Sequence, residues 1–317
     1  MNLTDPRFLD AEKAREWLEQ QRWPQGAHCS HCGSFLVTGL SGKAHRPGVY
    51  QCNDCRQQFT VTTGSVMERS KIPLNKWLLA MHLMASSKKG YSAHQLHRTL
   101  GITYQSAWFL AHRIREAMAN DADAGPLGGE GKTVEVDETY FGERDTPIVS
   151  QQRRGRPYKY KRKGPRNKRA VVSLVERGGK SRTFHVDHAT AENVREVIVR
   201  NVSRKSTLHT DESGLYREVG SEFAKHESVK HSAKEYVRGD VHTNTVEGFF
   251  SIFKRGMKGV YQHCGEAHLH RYIAEFDFRY NNRSALGVED TERAAKVIFQ
   301  TSGKRLTYRR TGEAKDL

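Results

Sequence analysis

Apolar residues in the first part of the chain recur every three to four positions, the spacing of amphipathic helices. Over residues 5–21, Phe8, Leu9, Ala14, Trp17 and Leu18 make one apolar side behind a cap at Asp5 and Pro6, predicting a short helix that ends near Pro24 and Gly26. Residues 72–118 repeat the pattern with Leu74, Trp77, Leu78, Met81 and Met84. A helix pair follows: Ser92 and Gln95 make a capping box, Leu96 and Leu100 face inward, Gly101 closes the helix, and Thr103 caps the next. That second helix carries Ala107, Leu110, Ala111, Ile114 and Met118 on one stripe. It is expected to expose Tyr104, Gln105, Trp108, His112, Arg113 and Arg115. The spacing resembles a helix-turn-helix, with Gln105 and Arg113 as candidates for DNA contact. An ordinary helical hairpin has the same pattern.

Beyond the glycine-rich acidic stretch 121–131 the period changes. Segments 133–141, 169–177 and 181–186 read as strands, the last two joined by a turn at Arg177–Lys180. A helix over 190–203, a strand over 207–210 and further helices complete an α/β pattern. The expected organisation is an N-terminal helix (1–26), a cysteine-bearing module (27–65), a helical module (66–120), a linker (121–131), an α/β domain (132–285) and a C-terminal helix and tail (286–317).

Charge narrows the partners. A net charge of +16 and a pI near 9.7 favour polyanions through counterion release, and nucleic acid leads among them. The densest part is an insertion at 150–169. Its residues 153–169 hold ten Lys or Arg and no acid, with Tyr158 and Tyr160 interleaved. Arg153, Arg154, Arg156, Lys161, Arg162 and Lys163 are candidates for phosphate contact there, against the plainer reading of a solvated loop. No apolar run approaches the ~20 residues that cross a bilayer. The first residues are charged where a secretory signal needs an apolar core, so a cytoplasmic location is expected.

Cys29 and Cys32 are matched by Cys52 and Cys55 across nineteen residues, two C-x-x-C turns able to aim four thiolates at one point. Such a set suits a closed tetrahedral zinc site in a zinc ribbon, and a cytoplasmic setting disfavours the alternative of two disulfides. Cys264 has no partner motif.

Three acids stand out. Asp137 lies mid-strand in TVEVDETYFG, sharing a face with Glu135 while Glu138 takes the other. Asp211 ends a strand in TLHTDESGLY. Glu247 lies on a helix whose Val246, Phe249, Phe250, Phe253 and Met257 make one stripe, and whose Asn244, Glu247, Ser251, Lys254 and Lys258 make another. Hard carboxylate oxygens suit Mg2+, and two such ions about 3.5–4 Å apart serve phosphodiester chemistry. Asp187 also ends a strand and is the rival for the second position, with a cap for the following helix as its alternative role. Glu135, Glu138, His242 and Asn244 are candidates for supporting positions.

The strand-borne Asp137, the strand-end Asp211, and Glu247 after thirty-five intervening residues with Lys254 seven beyond it resemble the DDE motif of transposases and retroviral integrases. With the ribbon, the segments VDETYFG, LHTDESGLY, HTNTVEGFFSIFKRGMKGVY and HLHRYIAEFDFRYNNR resemble bacterial insertion-sequence transposases of the insertion sequence 1595 family. The resemblance implies an RNase H-like (retroviral integrase-like) catalytic domain and two catalytic Mg2+ ions, with Mn2+ as substitute. Asp137 would bridge both ions, and Asp211 and Glu247 would hold one each. Lys254, Lys258 and the basic insertion would grip backbone phosphate. It also implies cleavage at element ends, attack of the freed 3′-hydroxyl on target DNA, terminal inverted repeats as partners, a dimer or larger assembly, and location at the nucleoid. A domesticated, inactive DNA-binding regulator and a nuclease without strand transfer are the competing readings.

Overall fold

The computed structural model describes residues 2–119, 125–147, 149, 155 and 167–307. Arg153, Arg154, Arg156, Lys161, Arg162 and Lys163 lie outside the described residues. The chain divides into two compact units: Met1–Ala119 with Val288–Leu317, and Asn120–Gly287.

The first unit opens with two helices where the apolar spacing predicts one, α1 (Pro6–Leu9) and α2 (Ala11–Arg22). The break falls at Asp10, whose carboxylate accepts from the Glu12 and Lys13 amides and so caps α2. Apolar spacing continues across the break, so periodicity alone does not show it. Strands β1 (Val37–Leu40), β2 (Val49–Cys52) and β3 (Gln58–Phe59) form an antiparallel sheet. Trp23 holds it to α2, its ring 5.3 Å from Tyr50 and 5.8 Å from Phe59 in edge-on contacts. Helix α3 (Leu74–Ser86) precedes the pair α4 (Ala93–Leu100) and α5 (Tyr104–Met118). The Ser92–Gln95 capping box, the left-handed Gly101 (φ 58°) and the Thr103 cap occur as their sequence dictates.

The second unit is built on a five-stranded sheet of order β6-β5-β4-β7-β8. Strands β4 (Thr133–Glu143), β5 (Lys168–Glu176) and β6 (Ser181–Val186) form an antiparallel meander. Helix α6 (Ala191–Asn201) crosses over to β7 (Thr207–Thr210), which runs parallel to β4. A 3-10 turn (Gly214–Tyr216) and α7 (Arg217–Gly220) lead to β8 (Lys225–Ser228), parallel to β7. A small hairpin, β9 (Val237–Arg238) and β10 (Val241–His242), precedes α8 (Asn244–Gly256). After a π-helical turn (Met257–Tyr261) comes α9 (Leu269–Asn281).

Helices cover both faces of this sheet, which explains why β5 is buried continuously from Arg169 to Val175. On one face Val134, Val136, Val172 and Leu174 pack with Val194 and Ile198 of α6 and with Tyr216. On the other, Val171 and Val175 meet the Phe stripe of α8 and Tyr272, Ile273 and Phe276 of α9. The cap of α6 is Thr190, which accepts from the Asn193 amide, so the capping role expected of Asp187 is not observed. Two further residues separate Asp187 from the cap position, and Thr190 stands where its hydroxyl can serve.

Helix α10 (Asp290–Phe299) then belongs to the first unit. Arg293 donates to the carbonyls of Ala85 and Val288, and Lys304 donates to those of Ala117 and Ala119. Packing by α3, α4 and α10 explains why His112 and Arg115 of α5 are buried instead of exposed. All four tryptophans (17, 23, 77 and 108) lie in the first unit, so their fluorescence reports its unfolding selectively. Ile298→Ala is expected to lower the urea midpoint of that signal by the equivalent of about 2–5 kcal/mol. An unchanged midpoint would show that α10 adds nothing to this unit.

Candidate metal centres

The two C-x-x-C turns are built alike. The Gly33 amide donates to the Cys29 carbonyl at 2.9 Å and the Arg56 amide to the Cys52 carbonyl at 3.1 Å. Gly33 (φ 80°) and Arg56 (φ 63°) are both left-handed, and a side chain at φ > 0 signals that the turn is imposed on Arg56. Backbone N–H groups point at sulfur: His31 to Cys29 and Cys55 to Cys52. The bond from Cys55 leads the influences that pull the Cys52 thiol down to about 7. The Sγ atoms of Cys29 and Cys55, and of Cys32 and Cys52, lie 3.6 Å apart, and all four ligand atoms fall within 4.8 Å of one another. Zinc–sulfur bonds of about 2.3 Å in a tetrahedron put sulfurs roughly 3.8 Å apart, whereas a disulfide needs about 2 Å. This is a structural zinc site.

The acidic cluster follows from sheet register. Glu135 of β4 pairs with His209 of β7 in parallel; Asp137 follows two residues later on β4 and Asp211 directly after the end of β7, and the Asp211 charge acts on Asp137. Asp187 follows β6, which β5 separates from β4, so it is set away from Asp137 and is exposed. Glu247 enters from the first turn of α8, its carboxylate accepting from the Thr243 hydroxyl at 2.9 Å. Asp211 accepts from the Ser213 amide and Asp137 from the Glu138 amide.

Burial first, and then the charges of Glu138, Asp211 and Glu247, push the Asp137 carboxyl up to about 8. Glu138 points to the other face, accepts from the Tyr216 hydroxyl, and is itself raised by burial. The four acids thus sense one another, although among the described residues only the cysteines form a group as tight as 4.8 Å. A buried Asp137 that resists ionisation beside neighbouring acids makes with them a donor set fitted to a hard divalent ion, which would offset their repulsion.

Lys254 is half-buried on α8, and Lys258 is exposed in the π-helical turn that ends it. Gln105 is exposed at the start of α5. Arg113 donates to the carbonyls of Leu306 and Glu68 and lies over the Phe109 ring, so much of its guanidinium is engaged inside its own unit. Three residues near the acids carry no local sequence signal: Tyr216, Arg177 and His231. The Nε2 of His231 stands 3.8 Å from Glu247. Only the fold brings them to this place.

Two outcomes follow. Zinc should be present at one ion per chain, and a strong chelator or Cys52→Ser should change the Trp23 emission as Tyr50 and Phe59 lose their frame; unchanged emission with zinc removed would contradict a folding role. In metal-free buffer, Asp137 takes up a proton on folding. The stability this gives is full below about pH 4 and is lost as pH rises through about 8. Asp137→Asn should therefore gain stability relative to the parent across that window, and Mg2+ should stabilise the parent more at the alkaline end. Parallel Tm–pH curves for the two proteins would refute this.

Comparison with known proteins identifies the two modules. Residues 126–281 match the ISXO2-like transposase domain, and residues 9–58 match the transposase zinc-ribbon domain. A protein of Halobacterium salinarum described as an uncharacterized protein in transposable element ISH50 is 29% identical over 303 residues, covering 93% of this chain and 98% of its own. Solved structures resemble it only weakly. A chain of the simian T-cell lymphotropic virus intasome in complex with PP2A regulatory subunit B56 gamma is 13% identical with a TM-score of 0.29, over 58% of this chain and 63% of that one. A chain of a pre-cleavage Mos1 transpososome is 12% identical with a TM-score of 0.25, over 66% and 70%. Carrying the family's zinc ribbon and transposase domain in order, the chain belongs to the insertion sequence 1595 family of transposases.

Proposed function

We propose that this transposase cleaves DNA at the ends of an insertion sequence and joins the freed 3′-hydroxyl to target DNA, using Asp137, Asp211 and Glu247 as a DDE site. The observation that carries the reading is that β4 and β7, paired in parallel, and α8 bring three acids close enough for the charges of Asp211 and Glu247 both to act on Asp137. The strand order, three antiparallel strands followed by two parallel to the first, supports an RNase H-like catalytic domain.

Asp137 would hold both of two Mg2+ ions, with Asp211 and Glu247 holding one each; Mn2+ has the same preference for oxygen. When bound, such ions supply charge neutralisation for the attacking and leaving oxygens of a phosphodiester. The chain's own residues provide the rest. Asp137, central and crowded, would be held as the carboxylate once a cation offset its neighbours. Glu138 is held by Tyr216 on the opposite face, at the edge of the cluster. Lys254 and Lys258, about two and three turns beyond Glu247, would offer cations to the phosphate backbone, as would the basic insertion. The ribbon and the α4–α5 pair, with Gln105 on its exposed side, would hold terminal inverted repeats. Two ends must be paired, which calls for a dimer or larger assembly.

Asp137→Asn and Glu247→Gln should each lower cleavage of a DNA carrying the element ends by more than about a hundredfold, beyond the upper range for losing an outer-shell partner. Binding in a gel-shift assay should persist. Cleavage at the parent rate in both variants would end the DDE reading. Cut ends that never appear joined to a target plasmid would leave a nuclease.

A further inference from the structure

A second polar cluster lies directly behind the acids. Glu135 is fully buried, and its carboxylate accepts four hydrogen bonds: from the Thr245 amide (2.7 Å), the Val246 amide (3.0 Å), the Thr245 hydroxyl (2.8 Å) and Arg177 Nε (2.6 Å). Arg177, from the β5–β6 turn, spreads its remaining N–H groups over two other segments, β7 and the β9–β10 hairpin. Nη1 donates to the Asp240 carbonyl (2.7 Å); Nη2 reaches His209 Nδ1 (3.0 Å), His242 Nδ1 (2.9 Å) and the His242 carbonyl (3.0 Å). His242 Nδ1 also stands 3.3 Å from the Glu135 carboxylate, so both imidazoles join one network with Arg177 and Glu135.

The members of this cluster have a regular relation to the acids. Glu135, His209 and Thr245 each stand two residues before Asp137, Asp211 and Glu247. The three segments that bring the acids are therefore tied together one step below them. Helix α8 depends on the tie most. Its own cap residue, Thr243, makes no side-chain cap bond, because its hydroxyl is directed to Glu247. The orphan amides of the first turn, the part of a helix that frays, are satisfied instead by Glu135 from another element. Glu247 sits in that same turn.

We infer that Glu135 and Arg177 are positioning residues that set the spacing of Asp137, Asp211 and Glu247 for metal, without touching metal or DNA themselves. This rests on the DDE reading and adds to it the source of the site's geometry. Glu135 is at once the cap of α8 and the partner of Arg177, and Arg177 ties β7 and the approach to α8 to the turn between β5 and β6. A glutamine at position 135 keeps the shape but presents an amide donor to groups that are themselves donors.

The test uses the full-length protein, with Mg2+ binding followed by calorimetry and cleavage by single-turnover kinetics. Glu135→Gln and Arg177→Met should weaken Mg2+ about 10–100-fold. Cleavage rate at fixed metal should fall by a similar factor while KM for DNA stays unchanged, and raised metal should restore part of it. Thr245→Val, which removes one hydroxyl and leaves both amides capped, keeps the question open to measurement if the other two fold poorly; it should shift Mg2+ affinity in the same direction, by less. Parent-like affinity and rate in Glu135→Gln and Thr245→Val, with both lost in Asp137→Asn, would overturn this inference and leave the DDE reading standing. Parent-like Mg2+ affinity in Asp137→Asn would overturn the DDE reading itself.

Discussion

The pairing of β4 with β7 is the constraint on which the acidic cluster depends. Parallel strands about 4.8 Å apart bring residues of equal register together, and a slip of one residue would turn Asp137 to the opposite face. Burial enforces the register, because Val134 and Val136 must meet α6 while Glu135 and Asp137 turn towards α8. Hydrophobic packing on both sides of one strand therefore decides where its carboxylates go. The same burial that fixes Asp137 also makes its ionisation costly, and a cation held among its neighbours would offset that cost.

Helix α8 divides its residues between two tasks. Val246, Phe249, Phe250, Phe253 and Met257 anchor it on the sheet, and the opposite stripe carries Glu247, Lys254 and, in the turn beyond, Lys258. Nothing in this stripe sets the depth at which the helix enters. Its entry is governed by a buried carboxylate from β4, an arrangement in which a group of the sheet completes the hydrogen bonds of the helix. Breaking one partner of such a buried network is far more damaging than its surface equivalent, because the remaining charge has no solvent to turn to.

The two candidate metal centres differ in the way their chemistry demands. Four sulfurs in two nearly identical turns close around one point and leave no position open, so the metal there holds a small sheet together. The acids are more open, come from three separate elements, and repel one another until a hard cation intervenes. A closed soft site serves folding; on the proposed reading, an open hard site would serve reaction.

Features written in short stretches are legible in the chain itself. The C-x-x-C pairs, the Ser92–Gln95 box, Gly101, Thr103 and the stripe of α8 depend on residues within one or two turns of each other, where local hydrogen bonds and side-chain spacing are decided by covalent neighbours. The three acids are visible in the same way, but the choice of Asp211 over Asp187 as the neighbour of Asp137 is not, because both end strands and only sheet order separates them. The burial of His112 and Arg115, the return of α10 to the first unit, and the meeting of Glu135 with α8 likewise join residues far apart in the chain. Local order along the polypeptide thus sets the elements, most of their caps and the types of ligand they carry. Which elements become neighbours is settled only in three dimensions, since that choice rests on burying matched apolar faces and leaves no mark on any one segment.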